Sequence, residues 1–435
     1  MKWLNTYSLL RTMTARLRWT PEMLNRYRDE RLRELVRHTY QHSIFYRRFY
    51  DQAGVHPDQI RSTDDLGMLP ILSKEMVQSA DPMQVVTLPP DTHWMIEITS
   101  GSTGRPLSIY RTWRDLYYIK AKVIRAFRQT GLRYYHRQAV LKSSTESVTG
   151  RHWFENLGIL RKYWLSVTDS PEHNLNELRR IRPQHLHGYP SGLAAIAQRL
   201  LDNGEILRLP VICTGAEVLD EVTRCLIERA FHAQVFDFYG SREVGNIAWE
   251  CPVHDGLHVN DDAIILELVD DRGAPVPEGA EGRVVVTWLD GRDWPFLRYD
   301  LGDRAIRSLK GSCPCGVTFS RLTRLEGRSD SRIYLPSGQW ISGLVFQELR
   351  TVAWVAAFRI VQNEYRTIKL QVVQRREPVP EEIRELIAKT ERLVRRELDV
   401  IFEIVPQLEP EASGKIRAVI CRLPEAQNRI PGEVI

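Results

Sequence analysis

The apolar residues of the first eighty positions are spaced as in helices. Leu32, Leu35 and Val36 fall on one face of a 3.6-residue repeat, and Pro70 interrupts the pattern. We therefore expect residues 1–80 to form a helical region.

Short apolar runs alternate with amphipathic segments from about residue 94 onward, which predicts helices layered on a sheet. Strands are expected at residues 94–98, 138–142, 210–215 and 233–240, and helices at 113–128, 190–203 and 218–231. Two further apolar runs, 263–270 and 282–289, flank a turn rich in glycine and proline and predict an antiparallel hairpin. The predicted class is α/β, with residues 81–329 as its core.

The pattern resets after residue 329 to a strand pair, a helix and a last strand. The helix is predicted from residues that share one face, namely Ile383, Leu386, Ile387, Thr390, Leu393, Val394 and Leu398. Residues 330–435 are therefore expected to form a small α+β domain, in addition to a large multi-layer α/β domain.

The charge balance excludes a chain-wide binder of nucleic acid, because 60 Lys and Arg against 55 Asp and Glu leave a net charge of only +5. Eleven basic and four acidic residues fall within positions 1–50. This excess predicts a solvated helical face, with peripheral contact to an anionic membrane as the alternative.

The compartment follows from what the sequence lacks. It has no run of 18 apolar residues, and its six cysteines do not make a disulfide scaffold. Because polar and basic residues interrupt the apolar stretches of residues 1–20, we expect no signal peptide. A cytoplasmic protein is expected. The oligomeric state stays open, with a homodimer among the alternatives.

The segment TSGSTGRP, residues 99–106, follows the first predicted strand. Its glycines let the backbone approach an anion closely, and its hydroxyl and N–H groups can bind phosphate oxygens. The alternative is a hairpin turn rich in serine and glycine, with SIYRT as the returning strand.

Two more polar segments, TGAE (214–217) and YGSRE (239–243), follow predicted strands, at the strand ends where α/β folds usually place ligands. A third segment, RYDLGD (298–303), adds a second carboxylate. Tyr239 can stack on a base, Glu243 can hold Mg²⁺ beside phosphates, and a carboxylate such as Asp303 can accept hydrogen bonds from ribose. The alternatives are a core tyrosine, a Glu243 that only pairs with Arg242, and an ordinary Asp-Gly turn.

Two short chelating pairs, Cys251 with His254 and Cys313 with Cys315, predict a structural Zn²⁺ site. Tetrahedral zinc takes four nitrogen or sulfur ligands, and Cys-x-Cys before glycine forms a tight knuckle. His258 is the alternative to His254. Reduced, partly buried thiols without metal are the other interpretation.

Taken together, these segments resemble the adenylate-forming ligases, most closely the phenylacetate-CoA ligase branch and its capsule-biosynthesis homologues. The resemblance covers nearly the whole chain. The matching motifs, in order, are LRELVRHTYQHSIFYRRFYDQAGVHPDQI, LPILSKEMV, ITSGSTGRP, HGYPSGL, TGAEVL, FYGSREVG, GRVVVTWL, LRYDLGDRA, LEGRSDSRI and SGKIR.

The resemblance implies a nucleotide site and assigns its residues. The phosphoryl groups of ATP would lie on Ser100, Gly101, Ser102, Thr103 and Gly104. Adenine would be bordered by Gly215, Ala216, Glu217 and Tyr239, with Phe238 and Gly240 in the same site, and Ser241 would face the α-phosphate. Mg²⁺ would bind Glu243, and ribose would bind Asp303 and Arg328. The acyl pocket would begin at His187, Tyr189 and Pro190, for which a turn before a helix is the alternative. Asp330 would be the hinge, and Lys415, Glu243 and Thr103 would be catalytic.

The implied reaction is that of an AMP-forming acid–coenzyme A ligase. An aryl or other hydrophobic carboxylic acid would react with ATP to give an acyl-adenylate, and coenzyme A would displace AMP. In SDSRI a single acid, Asp330, stands where many relatives have two, and YLPSGQWISG departs from the usual glycine-rich strand. Transfer to an amine, a hydroxyl or a carrier-protein thiol is therefore the alternative, and an inactive nucleotide-binding interaction protein is the third.

Overall fold

A computed structural model describes residues 2–89, 91–98, 107–142, 153–309, 311–328, 332–337, 340–410 and 416–423. The chain folds into two compact units, each built from two segments. The first unit consists of residues 1–132 and 236–325, and the second of residues 133–235 and 326–435.

Helices and strands occupy the following positions in the described residues. The helices are α1 (Lys2–Arg16), α2 (Pro21–His42), α3 (Ile44–Gln52), α4 (Lys74–Ser79), α5 (Pro82–Val85), α6 (Trp113–Gln129), α7 (Trp153–Asn156), α8 (Pro171–Ile181), α9 (Pro190–Asp202), α10 (Glu221–Phe231) and α11 (Pro380–Leu393). The strands are β1 (Met95–Ile98), β2 (Ser108–Arg111), β3 (Gln138–Lys142), β4 (Lys162–Ser166), β5 (His185–Gly188), β6 (Val211–Gly215), β7 (Gln234–Ser241), β8 (Gly245–Glu250), β9 (Leu257–Val259), β10 (Ile264–Val269), β11 (Glu281–Trp288), β12 (Tyr299–Arg307), β13 (Arg321–Arg328), β14 (Arg332–Tyr334), β15 (Trp340–Ser342), β16 (Val355–Glu364), β17 (Thr367–Gln374), β18 (Asp399–Ile404) and β19 (Val419–Cys421). Short 3₁₀ segments cover Pro57–Gln59, Thr63–Met68 and Gly343–Thr351.

The first unit combines the N-terminal helices with a largely antiparallel sheet. Thr20 caps α2, and the apolar face predicted for this helix, including Leu32 and Leu35, is buried. The strands of the sheet follow the order β10-β11-β12-β13-β9-β8-β7. The predicted hairpin is present, because β10 pairs antiparallel with β11. A separate hairpin pairs β1 with β2, so SIYRT does supply a returning strand.

The second unit contains a parallel sheet of order β6-β5-β3-β4, with helices between its strands. The two strands predicted in this unit, at residues 138–142 and 210–215, form as β3 and β6 with bounds within one residue of the prediction. Helix α10 begins at Glu221 rather than residue 218, because Asp220 caps it by accepting a hydrogen bond from the Thr223 amide at 2.8 Å.

The C-terminal segment forms a four-stranded sheet of order β18-β17-β16-β19 with its own hydrophobic core. The predicted strand pair is β16 and β17, and two strands, β18 and β19, follow the helix instead of one. Helix α11 ends at Leu393, earlier than the predicted face that reached Leu398. Arg395 and Arg396 have φ of +56° and +58°, which ends a right-handed helix. The predicted domain boundaries at 80 and 329 remain a prediction.

Two N-terminal arginines contact acidic groups of the first unit rather than only solvent. Arg16 lies 3.6 Å from the carboxylate of Asp262, and Arg31 lies 3.3 Å from that of Asp290. Part of the N-terminal basic excess is therefore used inside the fold. Within the described residues, no helix is long and apolar enough to cross a bilayer.

Arg125 of α6 joins three segments of the first unit from a fully buried position. Its two terminal nitrogens bind both carboxylate oxygens of Asp262, at 2.7 and 2.8 Å. They also donate to the carbonyl oxygen of Met13, at 2.7 Å, and to the side chain of Asn260, at 2.5 Å. This bidentate pair fixes α1 and the segment between β9 and β10 to α6.

The substitution Asp262→Ala is expected to destabilise the first unit by about 3–5 kcal/mol, because it leaves a buried guanidinium without its carboxylate. Guanidinium chloride unfolding of the two proteins measures the difference. Asp58→Ala, which removes the exposed partner of Arg37, is the control and should leave the transition nearly unchanged. Equal effects from both substitutions would contradict this role of Asp262.

Candidate functional site

The turn between β7 and β8 carries Glu243. Ser241 pairs with Gly245 across the turn, and Gly245 has φ of +74°, the left-handed conformation on which a three-residue hairpin loop commonly ends. The Ser241 hydroxyl accepts a hydrogen bond from the Val244 amide at 3.3 Å. A Cβ at Gly240 would lie 2.7 Å from the Gly245 carbonyl oxygen, so the hairpin needs glycine there. Ser241 and Gly240, both expected near ATP, thus also shape this turn.

The Glu243 carboxylate accepts a hydrogen bond from the Tyr299 hydroxyl at 3.4 Å. One carboxylate together with phosphate oxygens and water is a common donor set for Mg²⁺ in nucleotide sites. Glu243 therefore fits the Mg²⁺ that the resemblance implies. Tyr299 was not among the predicted site residues. Its position in the motif RYDLGD is the signal that could have identified it.

Tyr239 and Asp303 lie together in the first unit. The buried Tyr239 donates its phenolic hydrogen to Oδ2 of Asp303 at 2.7 Å. Tyr239, one of the residues assigned to adenine, is therefore a neighbour of Asp303, which is assigned to ribose. Phe238 packs against Phe127, with ring centroids 4.8 Å apart, so its ring contributes to hydrophobic packing.

The segment TGAE follows β6 in the second unit. Ala216 has φ of +68°, an uncommon conformation for a residue other than glycine and one that recurs at functional sites. Glu217 accepts hydrogen bonds from the amide and the hydroxyl of Ser191, both at 2.9 Å. It also accepts one from the amide of Ile416 at 3.2 Å. The C-terminal segment thus contacts the end of β6 through the residue that follows Lys415 in the sequence.

The predicted start of the acyl pocket lies between β5 and α9. His187 belongs to β5, and Pro190 is the first residue of α9, after the buried Tyr189. Burial lowers the pKa of His187 well below its usual value, and Lys142 adds to the shift. The imidazole is therefore neutral at pH 7. The role of these residues in binding an acid stays a prediction.

Several predicted residues lie outside the described part of the chain. They are Ser100, Gly101, Ser102, Thr103, Gly104, Asp330 and Lys415. Arg328 lies in β13, but its side chain is not described. The roles that the resemblance gives them remain predictions.

Four candidate metal ligands converge in the first unit, and His258 is the histidine among them. The ligand atoms of Cys251, His258, Cys313 and Cys315 all lie within 4.8 Å of one another. The sulfurs of Cys251 and Cys313 are 3.7 Å apart, and Nε2 of His258 is 3.3 Å from the Cys315 sulfur. Tetrahedral zinc with Zn–S bonds of 2.3 Å separates two sulfurs by about 3.8 Å. The donor set and its spacing therefore fit Zn²⁺.

His258 is in the protonation state that a metal ligand needs. Its Nδ1 lies 3.3 Å from the Phe319 carbonyl oxygen, which can only accept, so Nδ1 carries the hydrogen and Nε2 is left as the free donor for a metal. Burial lowers the pKa of His258 to about 4, so the ring is neutral at pH 7. Burial also raises the pKa of the Cys251 thiol to about 12.

The choice of His254 as the fourth ligand is corrected by the structure. His254 has φ of +54°, its Nδ1 lies 3.2 Å from a carboxylate oxygen of Glu250, and its ring stacks on Phe236. These contacts hold the ring outside the group of four ligands. The short Cys-x-x-His spacing favoured His254. In the structure, β9 pairs with β8 and with β13, so that Trp249 and Arg321 lie opposite His258, and this position brings His258 to the three cysteines.

Two family comparisons cover most of the chain. The AMP-binding enzyme family matches residues 22–287, more than half of the sequence. The CapK C-terminal domain matches residues 333–422.

Curated relatives carry two names. The phenylacetate-coenzyme A ligase of Thermus thermophilus is 28% identical over 325 residues, 72% of this chain and 72% of the relative. That of Escherichia coli is 27% identical over 330 residues, 70% and 71% of the two chains. Protein CapK of Staphylococcus aureus is 27% identical over 207 residues, 47% of this chain and 42% of CapK.

Solved structures show the same fold. A 2-hydroxyisobutyryl-CoA ligase in the postadenylation state aligns with a TM-score of 0.76 at 20% identity, covering 94% of this chain and 92% of that one. An anthranilate CoA ligase in complex with anthranoyl-AMP aligns with a TM-score of 0.58 at 20% identity, covering 74% and 64%. The predicted fold class is confirmed, an α/β adenylate-forming fold with a large N-terminal and a small C-terminal domain. The chain therefore belongs to the AMP-binding enzymes of the adenylate-forming superfamily, close to the phenylacetate-coenzyme A ligases and CapK.

Proposed function

We propose that this protein activates an aryl or other hydrophobic carboxylic acid with ATP and transfers the acyl group to coenzyme A. Relatives named phenylacetate-coenzyme A ligase align with this chain over about seven tenths of both sequences. The observation that carries the proposal is the hydrogen bond from the Ile416 amide to Glu217. It joins the sequence SGKIR of the C-terminal domain to the sequence TGAE, two motifs that the resemblance assigns to one reaction.

The first step is attack of a carboxylate oxygen on the α-phosphorus of ATP. The P–O bond to pyrophosphate breaks, and the acyl-adenylate forms. Glu243 would hold Mg²⁺, which supplies positive charge to the phosphate oxygens when bound. Asp303 would accept hydrogen bonds from ribose, with its carboxylate oriented by Tyr239.

Lys415 would stabilise the negative charge that develops at the α-phosphate. An ammonium is a compact charge that attracts both the substrate carboxylate and the phosphate oxygens. In the second step a thiolate attacks the acyl carbon, the bond from that carbon to the AMP oxygen breaks, and AMP leaves.

We further propose that Cys251, His258, Cys313 and Cys315 hold a structural Zn²⁺. With four protein ligands no coordination position stays open, so the ion would not activate water. It would connect the end of β8 and strand β9 to the segment between β12 and β13. Such a site needs reduced thiols, and we propose the cytoplasmic location expected from the sequence, where thiols stay reduced.

Acid-dependent exchange of pyrophosphate into ATP is the first test. Across a panel that includes phenylacetate, at least one acid should stimulate exchange, and Lys415→Ala should reduce it by about 10²–10³-fold, as for loss of one preorganised donor. Lys389→Ala, another lysine of the C-terminal domain, should exchange as wild type does.

The acceptor is identified by adding candidate nucleophiles to the enzyme with ATP and the active acid, and by measuring which of them causes the release of AMP. Release with coenzyme A supports the proposal, and release only with an amine, a hydroxyl or a carrier-protein thiol would redirect it. Exchange with no acid of the panel would favour the nucleotide-binding protein without catalysis. Wild-type exchange in Lys415→Ala would contradict the role of that lysine.

The ribose assignment predicts a substrate-specific effect of Asp303→Ala. Wild-type enzyme should bind ATP about tenfold or more tightly than 3′-deoxy-ATP, as expected for a hydrogen bond to a charged acceptor. In Asp303→Ala this preference should disappear, because the acceptor is gone. Competition binding with the two nucleotides measures it. An undiminished preference in the variant would exclude Asp303 as the ribose ligand.

The zinc assignment predicts about one equivalent of Zn²⁺ in protein purified without chelator, measured by inductively coupled plasma mass spectrometry. His258→Ala should lose the metal and lower the melting temperature, whereas His254→Ala should keep the metal. The reverse pattern, or less than about half an equivalent in wild type, would contradict the site.

A further inference from the structure

Three successive backbone carbonyl groups of the turn that carries Glu243 bind buried cations. Nη2 of Arg111 donates to the carbonyl oxygens of Arg242 and Glu243, at 2.5 and 2.7 Å. Nζ of Lys122 donates to that of Val244 at 2.6 Å. Carbonyl groups in a hairpin turn commonly face water, whereas these three accept hydrogen bonds from buried basic side chains. Burial lowers the pKa of Lys122 to about 7, so its hydrogen bond to Val244 does not depend on a full positive charge.

Neither cation is accessible to solvent. Arg111, at the end of β2, and Lys122, in α6, both have an exposed fraction of 0%. Both lie over the indole ring of Trp288, at 5.3 and 5.2 Å from its centroid. Removing a cation from water costs several kcal/mol. The hydrogen bonds to the carbonyl groups offset part of this cost and hold the backbone of the turn in place.

Arg111 also connects the turn to strand β1. Its Nε donates to the Glu97 carboxylate at 3.0 Å. Glu97 lies in β1, the strand that leads in sequence to the hydroxyl-rich segment. One planar guanidinium therefore binds β1 and the Glu243 turn together, which a lysine could not do with the same geometry.

We propose that Arg111 and Lys122 are positioning residues that fix the Glu243 carboxylate for Mg²⁺. This inference rests on the proposed Mg²⁺·ATP site. With its carbonyl groups held, the turn presents Glu243 in one backbone conformation, and Tyr299 contacts the carboxylate. Loss of such supporting partners typically weakens metal binding by about 10–100-fold.

The test measures ATP binding by isothermal titration calorimetry, with Mg²⁺ and with EDTA. The ratio of the two dissociation constants is the gain that the metal provides. Arg111→Lys should reduce this gain about tenfold and leave metal-free ATP binding within about twofold of wild type. Lys122→Met, an apolar side chain of similar length, should reduce the gain in the same direction and serves if Arg111→Lys does not fold.

Arg125→Lys is the matched control. Arg125 is equally buried and binds backbone and side chains of the same unit, but its contacts are with Met13, Asn260 and Asp262. The Arg125→Lys variant should keep the full gain in ATP affinity that Mg²⁺ provides. The inference is overturned if Arg111→Lys or Lys122→Met keeps the wild-type gain, if Arg125→Lys loses as much, or if wild type shows no gain from Mg²⁺. Failure of the wild type in acid-dependent exchange would reject the proposed reaction without deciding this point.

Discussion

Burial of positive charge at and beside α6 is the constraint on which the first unit depends. Arg111, Lys122 and Arg125 are all inaccessible to solvent, and a buried cation is tolerated only where oxygen atoms meet it. Asp262 and the Met13 carbonyl group bind the two terminal nitrogens of Arg125 and thereby fix α1. The carbonyl groups of residues 242–244 meet the other two cations, so the same helix that anchors the N-terminus also sets the turn that carries Glu243.

Each of the two compact units contains motif residues that are hydrogen-bonded or grouped with other residues of the same unit. In the first unit, Tyr239 and Asp303 are hydrogen-bonded to each other, and four ligand atoms lie close enough to share one metal ion. In the second unit, Glu217 joins Ser191 to the Ile416 amide. Two carboxylates assigned to the nucleotide site, those of Asp303 and Glu217, are therefore oriented by hydrogen-bond donors from neighbouring residues.

The order of elements was predictable because apolar periodicity reports directly on burial. Contacts that depend on the register of the sheet could not be predicted from this periodicity. The short Cys-x-x-His spacing favoured His254 in the sequence, and the pairing of β9 with β8 and β13 is what places His258 beside the three cysteines. Hydrophobicity likewise places Lys122 and Arg125 at the surface of α6, whereas both are buried. The site motifs were recognisable as a set, but Tyr299 and Ser191 were missed because their hydrogen bonds to carboxylates come from tertiary structure.

The central claim is that the acid is activated as its adenylate, and an isotope experiment tests it most directly. The acid that gives the fastest exchange is supplied with ¹⁸O in its carboxylate, and the products are analysed after a full turnover with the acceptor. Attack of the carboxylate on the α-phosphorus predicts one labelled oxygen in AMP, because the bond from the acyl carbon to that oxygen breaks in the second step. Label in inorganic phosphate together with ADP, or AMP without label, would contradict the account.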